Sequence, residues 1–262
     1  MNDILSKMAR NRRNEVMALY PNDTVLQKMI ADCNQLPPTF SMSSSLRNTP
    51  GGIIAEFKRR SPSKGDIFPM ADAAEVIPAY VNNGAAGCSV LTDTRFFGGS
   101  TVDLAIARKL SNNVPLLRKD FIVTPAQIYE ARLLGASAIL LIAAILTSEE
   151  ITRYNSLAHS LGMETLVEIH DFIELDKITF TPDMLGVNNR DLFSFHTDIT
   201  HSLDLASRLP SGILLVAESG IKTPDDMLRL RDAGFTGFLI GEAFMSTYDP
   251  GATLKKFIHE TI

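Results

Sequence analysis

The chain has 262 residues, 45% hydrophobic and 21% charged, with 25 Lys and Arg against 30 Asp and Glu. At roughly 100–200 residues per domain, that length allows one large domain or two small ones, and an α/β barrel of about 250 residues would use nearly all of it. The apolar composition excludes a disordered or collagen-like chain, and a net charge of −5 argues against a nucleic-acid partner, while a small anionic substrate needs only a few local cations.

In chain order, the N-terminus carries Asp3, Lys7 and Arg10 where a secretory signal needs an apolar stretch. Residues 1–35 have apolar residues at helical spacing, from Ile4, Leu5 and Met8 to Met29 and Ile30, and predict helix. Pro37-Pro38 ends it, and Ser41 to Pro50 reads as polar loop. Eight short apolar runs follow: Ile53–Phe57, Cys88–Leu91, Val114–Leu117, Ala138–Ile142, Thr165–Ile169, Met184–Val187, Ile213–Ala217 and Phe238–Ile240. Continuous apolar runs of this length fit strands buried on both faces of a parallel sheet. Helix signals fill the gaps. Ala71–Val81 has helical spacing, Pro125 and Pro224 each stand at a helix start, and Ser148-Glu149-Glu150 opens another with an N-cap and acidic first turn. Gly84, Gly135, Gly162 and Gly234 take the C-cap position.

Eight strand–helix units predict an α/β fold, a (β/α)8 TIM barrel at residues 51–262, with residues 1–50 as an N-terminal helical extension packed on it. An open dinucleotide-binding sheet would show G-x-G-x-x-G after its first strand, and Lys58-Arg59-Arg60-Ser61-Pro62 stands there instead. Cys33 and Cys88 form no C-x-x-C pair, and the five histidines show no ligand spacing beyond a weak His196/His201 pair. No cofactor and no metal are therefore expected. The longest strongly apolar run, Ala138 to Leu146, is far shorter than the about 20 residues of a membrane span. A cytoplasmic chain without membrane or obligate protein partner is the expectation.

Barrel active sites lie at the carboxyl ends of the strands. Glu56 and Lys58 share a face by the period of two, and Lys119, Glu168, Asn188 and Ser219 end further strands. An isolated buried charge is costly, so Glu56, Lys58, Lys119 and Glu168 must pair. They either close the top layer of the barrel as ion pairs or form one acid–base set, and four converging on one mouth favour the second. Gly220 and Gly241 open tight turns after the last two strands, where backbone N–H groups at a short helix hold phosphate in many barrels. Glu242 would contribute its amide. Ordinary tight turns are the bland alternative.

The block Glu56-Phe57-Lys58-Arg59-Arg60-Ser61-Pro62-Ser63 resembles the E-x-K-x-x-S-P-S signature of the indole-3-glycerol phosphate synthase family. Ser89-Val90-Leu91-Thr92-Asp93, Phe96-Phe97-Gly98-Gly99-Ser100, Leu117-Arg118-Lys119-Asp120, Val167-Glu168-Ile169-His170, Gly186-Val187-Asn188-Asn189-Arg190-Asp191 and Ala217-Glu218-Ser219-Gly220 are similar to it in order, from about residue 50 to 250. The resemblance implies a decarboxylating, dehydrating ring closure on a phosphorylated small-molecule substrate. It implies Lys119 as general acid and Glu168 as general base. Lys58 would contact the substrate carboxylate and is a second candidate donor, with Glu56 orienting both lysines. Asn188 and Ser219 would hold substrate hydroxyls, Ser61, Arg190, Gly220, Gly241 and Glu242 the phosphate, and Phe97 and Phe121 the aromatic ring. A neighbouring Lys58 would lower the pKa of Lys119, and Glu56 would oppose it.

Three departures from the family pattern fall in loops: Asp93-Thr94-Arg95, Asn189, and Leu192-Phe193-Ser194-Phe195. The basic loop 59–68 is a candidate lid or a plain solvated loop. Two other readings stay open. A Schiff-base aldolase would also put a strand-end lysine near phosphate, and a non-catalytic barrel would bind a phosphate ester without turnover.

Overall fold

The computed structural model describes residues 3–20, 23–191 and 196–262. The Leu192–Phe195 departure lies outside them. Eight strands form the barrel: β1 Ile53–Phe57, β2 Gly87–Leu91, β3 Leu116–Lys119, β4 Ala138–Ile142, β5 Glu164–Ile169, β6 Met184–Asn188, β7 Leu215–Glu218 and β8 Gly237–Ile240. Each pairs in parallel with the next, and β8 closes on β1 with Ile53 beside Phe238. Nearly every strand residue is buried, because helices cover the outside and side chains fill the inside. The β3 run begins two residues later than the apolar pattern alone indicates: Pro115 has no N–H for the ladder. Lys119 is the last residue of this strand, at the strand end where the sequence placed it.

The intervening helices start and stop where local chemistry dictates. Thr147 and Glu150, and Thr223 and Asp226, exchange capping bonds of 2.9–3.2 Å. The cap of the first of these helices is thus Thr147, with Ser148 already inside it. Gly84, Gly135, Gly162 and Gly234 all take positive φ after helices.

Three helices precede β1: α1 Asp3–Leu19, α2 Asp23–Cys33 and α3 Met42–Asn48. The helix expected over 1–35 is thus two helices, described on either side of Pro21-Asn22; proline disfavours helical backbone in the residue before it. The predicted loop over Ser41–Pro50 is corrected more substantially. Ser41 accepts the Ser44 N–H at 3.0 Å and starts α3, whose Met42 and Leu46 are buried. Polarity concealed a helix with an apolar side only two residues wide. Met42 lies against Gly87 and Leu46 against Gly237, the first residues of β2 and β8, so α3 plugs the amino end of the barrel. Glu164, first in β5, accepts the Ser41 and Ser43 hydroxyls at 2.7 Å and fixes it there.

At the opposite end, α1 lies across the carboxyl mouth. Arg12 makes a two-point ion pair with buried Asp120, at 2.9 and 2.6 Å. Asp120 also accepts from Arg118 and Thr92. No helix among the described residues is long and apolar enough to cross a membrane. Because α3 sits far from the mouth, Met42→Ala should cost about 2–4 kcal/mol of stability in urea titration while leaving kcat near the parent value. A cost near zero would show that α3 is not part of the core.

Candidate active site

A cavity of about 420 Å³ opens at the carboxyl ends of the strands. Every residue singled out by sequence as a candidate reaches it: Glu56, Lys58, Ser61, Phe97, Lys119, Phe121, Glu168, Asn188, Arg190, Ser219, Gly220, Gly241 and Glu242. Alternation along a strand explains the selection. Lys119 faces the interior, whereas its neighbour Arg118 points outward and is fully buried against Glu130 and Asp120.

The charges are sorted into two groups. Lys58 Nζ donates to Glu56 Oε1 at 2.7 Å. Lys119 Nζ donates to Glu168 Oε2 at 3.0 Å and to Glu218 Oε2 at 2.6 Å. Glu56 therefore orients Lys58 directly and acts on Lys119 through charge alone, rather than pairing with both lysines. Burial by itself would lower the pKa of Lys119, but Glu168, Glu218 and Glu56 outweigh it and raise it above its ordinary value. Lys58 is not among the groups that set this direction, and its ammonium is bound to Glu56 instead. Burial likewise acts to raise Glu168, yet Lys119, His170 and a hydrogen bond from Asn188 hold it below the carboxylate range. Glu218 goes the other way. Burial raises it, Lys119 opposes, and the nearby charge of Glu168 pushes it further up.

Glu218 and His170 are the principal residues that sequence reasoning left without a role. Glu218 stands at the strand end beside Ser219 and is buried, with Oε1 lacking a hydrogen-bond partner. Its signal was available: a glutamate ending an otherwise apolar strand is the same feature that marked Glu168. Leu5 and Met8 of α1 also line the cavity beside Phe97 and Phe121. The Phe97 and Phe121 rings are 6.2 Å apart and tilted by 45°. Nothing in the helical spacing of Leu5 and Met8 says which surface they cover.

The polar side of the cavity is built by loops. Arg190 Nη1 donates to Ser63 Oγ at 2.6 Å, and the Lys64 N–H to Ser61 Oγ at 3.3 Å. Ser219 and Gly220 both have positive φ, 65° and 76°, which is costly for a serine. Gly241 is needed for a different reason than expected, since a Cβ there would lie 2.6 Å from Glu56 Oε1. The Glu242 carboxylate lies 3.6 Å from Lys64 Nζ, and Glu242 opens the short helix Glu242–Met245. The 59–68 loop is tethered: Arg59 pairs with Asp103 at 2.5 and 2.9 Å, and Arg60 donates to the carbonyls of Thr94 and Arg95. Among the described residues no cluster of three His, Cys, Asp or Glu could hold a metal ion.

Buried acid–base groups gathered at the carboxyl mouth of a closed parallel barrel make this a (β/α)8-barrel protein of the enzyme class. A family model described as indole-3-glycerol phosphate synthase matches residues 5–257. An indole-3-glycerol phosphate synthase of Bacteroides thetaiotaomicron is 48% identical over 98% of both chains. One of Paracidovorax citrulli is 43% identical over 98% of this chain and 99% of its own. The chain belongs to the indole-3-glycerol phosphate synthase family, decarboxylating lyases of tryptophan biosynthesis. Solved structures of more distant proteins share the fold alone. The tryptophan synthase alpha subunit of Legionella pneumophila superimposes with a TM-score of 0.59 at 13% identity, covering 84% of this chain and 96% of that one.

The raised pKa of Glu218 has a measurable consequence. In the folded chain it retains a proton at pH values where the unfolded chain has released it, so stability falls as pH rises through that window. The shifts of Glu168 and Lys119 act below and above it. Glu218→Gln should therefore gain Tm relative to the parent between about pH 5 and about pH 8. A Tm difference that stays flat or declines across that range would contradict the raised value.

Proposed function

We propose that Lys119 and Glu168 form the acid–base pair of the ring closure, within a single catalytic barrel at residues 51–262 on which residues 1–50 pack. The substrate is 1-(2-carboxyphenylamino)-1-deoxyribulose 5-phosphate and the products are indole-3-glycerol phosphate, carbon dioxide and water. The observation that carries the assignment is the single ammonium of Lys119 within 3.0 Å of Glu168 and 2.6 Å of Glu218 in one buried cavity.

Lys119 Nζ–H protonates the ribulose C2 carbonyl oxygen as the aromatic carbon bearing the carboxylate attacks C2. The new carbon–carbon bond forms, and the carboxylate then leaves as carbon dioxide, its electron pair restoring the aromatic ring. The C2 oxygen departs as water with a second proton from a lysine. Glu168 takes the remaining ring proton, which completes the indole. Lys58 holds the substrate carboxylate, and Glu56 holds Lys58. Asn188 and Ser219 hold the sugar hydroxyls. Arg190, Ser61 and the backbone of Gly220, Gly241 and Glu242 receive the phosphate, and Phe97 and Phe121 flank the ring. The aldolase alternative is disfavoured by charge: a Schiff-base lysine needs a depressed pKa, and that of Lys119 is raised. The non-catalytic alternative has no use for the acid–base pair. Two reduced, buried cysteines suit a cytoplasmic enzyme.

With authentic substrate the purified chain should produce rising indole fluorescence. Lys119→Ala should lower kcat by about 10²–10⁴, the contribution of a general acid. Activity within a few-fold of the parent would remove Lys119 from that role.

A further inference from the structure

We propose that His170 is a positioning residue for Glu168, holding the carboxylate oxygen that Lys119 does not hold. The inference rests on the reading of Glu168 as base, and it concerns a residue to which neither the fold nor the chemistry above gives a part.

The two oxygens of Glu168 meet different partners. Oε2 accepts from Lys119 at 3.0 Å, and Oε1 lies 3.4 Å from His170 Nε2. His170 follows Glu168 by two residues, so the strand period carries both side chains to the same side of the barrel, and both line the cavity. The main chain of His170 is anchored independently of the ring. Its N–H donates to Glu174 Oε2 at 2.8 Å, and its carbonyl accepts from His201 Nε2 at 2.8 Å. The backbone is thus pinned by the 3₁₀ turn Phe172–Lys177 and the helix Thr200–Ala206.

The ring is not placed for packing. Its Nδ1 is buried without a hydrogen bond, and the Glu174 carboxylate is 4.0 Å from it. A buried polar atom left unpaired is unfavourable, and an apolar side chain would fill the space without that penalty. What the imidazole supplies and an apolar group cannot is an N–H directed at Glu168. At 3.4 Å the contact is long for a hydrogen bond, and such contacts tighten in the working complex. Once substrate draws Lys119 toward its own oxygen, Oε2 loses a donor, and His170 keeps the carboxylate from rotating away from the carbon it must deprotonate.

A donor on a carboxylate favours its ionised form, and His170 is among the groups holding Glu168 below the ordinary range. Lys119 on β3, Glu218 on β7 and Asn188 on β6 face the same carboxylate, and Glu174 and His201 face His170, so the comparison must leave those five unchanged. Removing the imidazole raises the pH below which Glu168 is protonated. The acidic limb of the rate profile then moves to higher pH.

The test uses His170→Ala and His170→Asn in the full chain, with Glu168→Gln alongside, and measures kcat, KM and pH profiles by indole fluorescence. His170→Ala should lower kcat about tenfold, as loss of one charge-assisted hydrogen bond does, with KM within about twofold. Its acidic limb should move up by roughly half a unit or more. His170→Asn, which retains an N–H donor and guards against a folding defect in the alanine variant, should recover most of kcat. A parent-like kcat and acidic limb in His170→Ala, with Glu168→Gln inactive, overturns the role of His170 alone. An active Glu168→Gln overturns the base assignment beneath it.

Discussion

The constraint on which this structure depends is the burial of charge at the mouth of a closed barrel. Glu56, Lys58, Lys119, Glu168 and Glu218 stand at the carboxyl ends of largely apolar strands, and each is largely removed from water. Desolvating one such ion costs several kcal/mol, and only a well-placed partner offsets it. Three carboxylates stand against two ammoniums, so the set cannot be fully ionised without an unbalanced charge. The chain resolves this by sharing: Lys119 is held between two carboxylates whose titrations separate, Glu168 downward and Glu218 upward. That separation keeps Glu168 ionised over a pH range in which Glu218 carries a proton.

The same requirement explains the architecture around the site. Lys119 stays in place because β3 is fixed on both sides. Arg118 locks the outer face to Glu130, and Asp120 binds Arg12 of α1. The helix so anchored brings Leu5 and Met8 over the cavity, closing the side where Phe97 and Phe121 stand. At the other end α3 plugs the barrel with Met42 and Leu46. The front segment thus contributes to both ends of the barrel, a polar anchor at one and an apolar plug at the other.

Much of this was legible in the residues. Eight apolar runs predicted eight strands because a strand buried on both faces leaves no alternation to obscure it. Candidate site residues stood out for the converse reason: Glu56 and Glu168 interrupt those runs, and Lys58 directly follows one, with charges that packing does not tolerate alone. The parts that were not legible depend on long-range placement. Ser41–Asn48 is polar along its length, and only the shape of the barrel floor makes its two apolar residues decisive. Leu5 and Met8 read as any amphipathic pair until Arg12 finds Asp120, 108 residues away. The electrostatics of Lys119 followed the same pattern. Sequence grouped it with Glu56, Lys58 and Glu168, whereas the closure of the barrel set it against Glu168 and Glu218 and left Lys58 to Glu56.

That placement bears on the proposal that Lys119, an ammonium with a raised pKa, serves as the acid. With two carboxylates attached, Lys119 holds its proton more tightly than free lysine does, and proton transfer is most efficient when donor and medium are matched. Its grip loosens when either carboxylate loses its charge. Glu218 is the one that protonates first, since burial and Glu168 have already raised it. An incoming anion adds to that pressure, because negative charge near Glu218 favours its neutral form. In the proposed reaction a neutral Glu218 leaves Lys119 with Glu168 as its one charged partner in contact, which weakens its hold on the proton. On that proposal a site with Lys119 and Glu168 alone would hold acid and base locked to each other, and the third carboxylate, once neutral, loosens the pair.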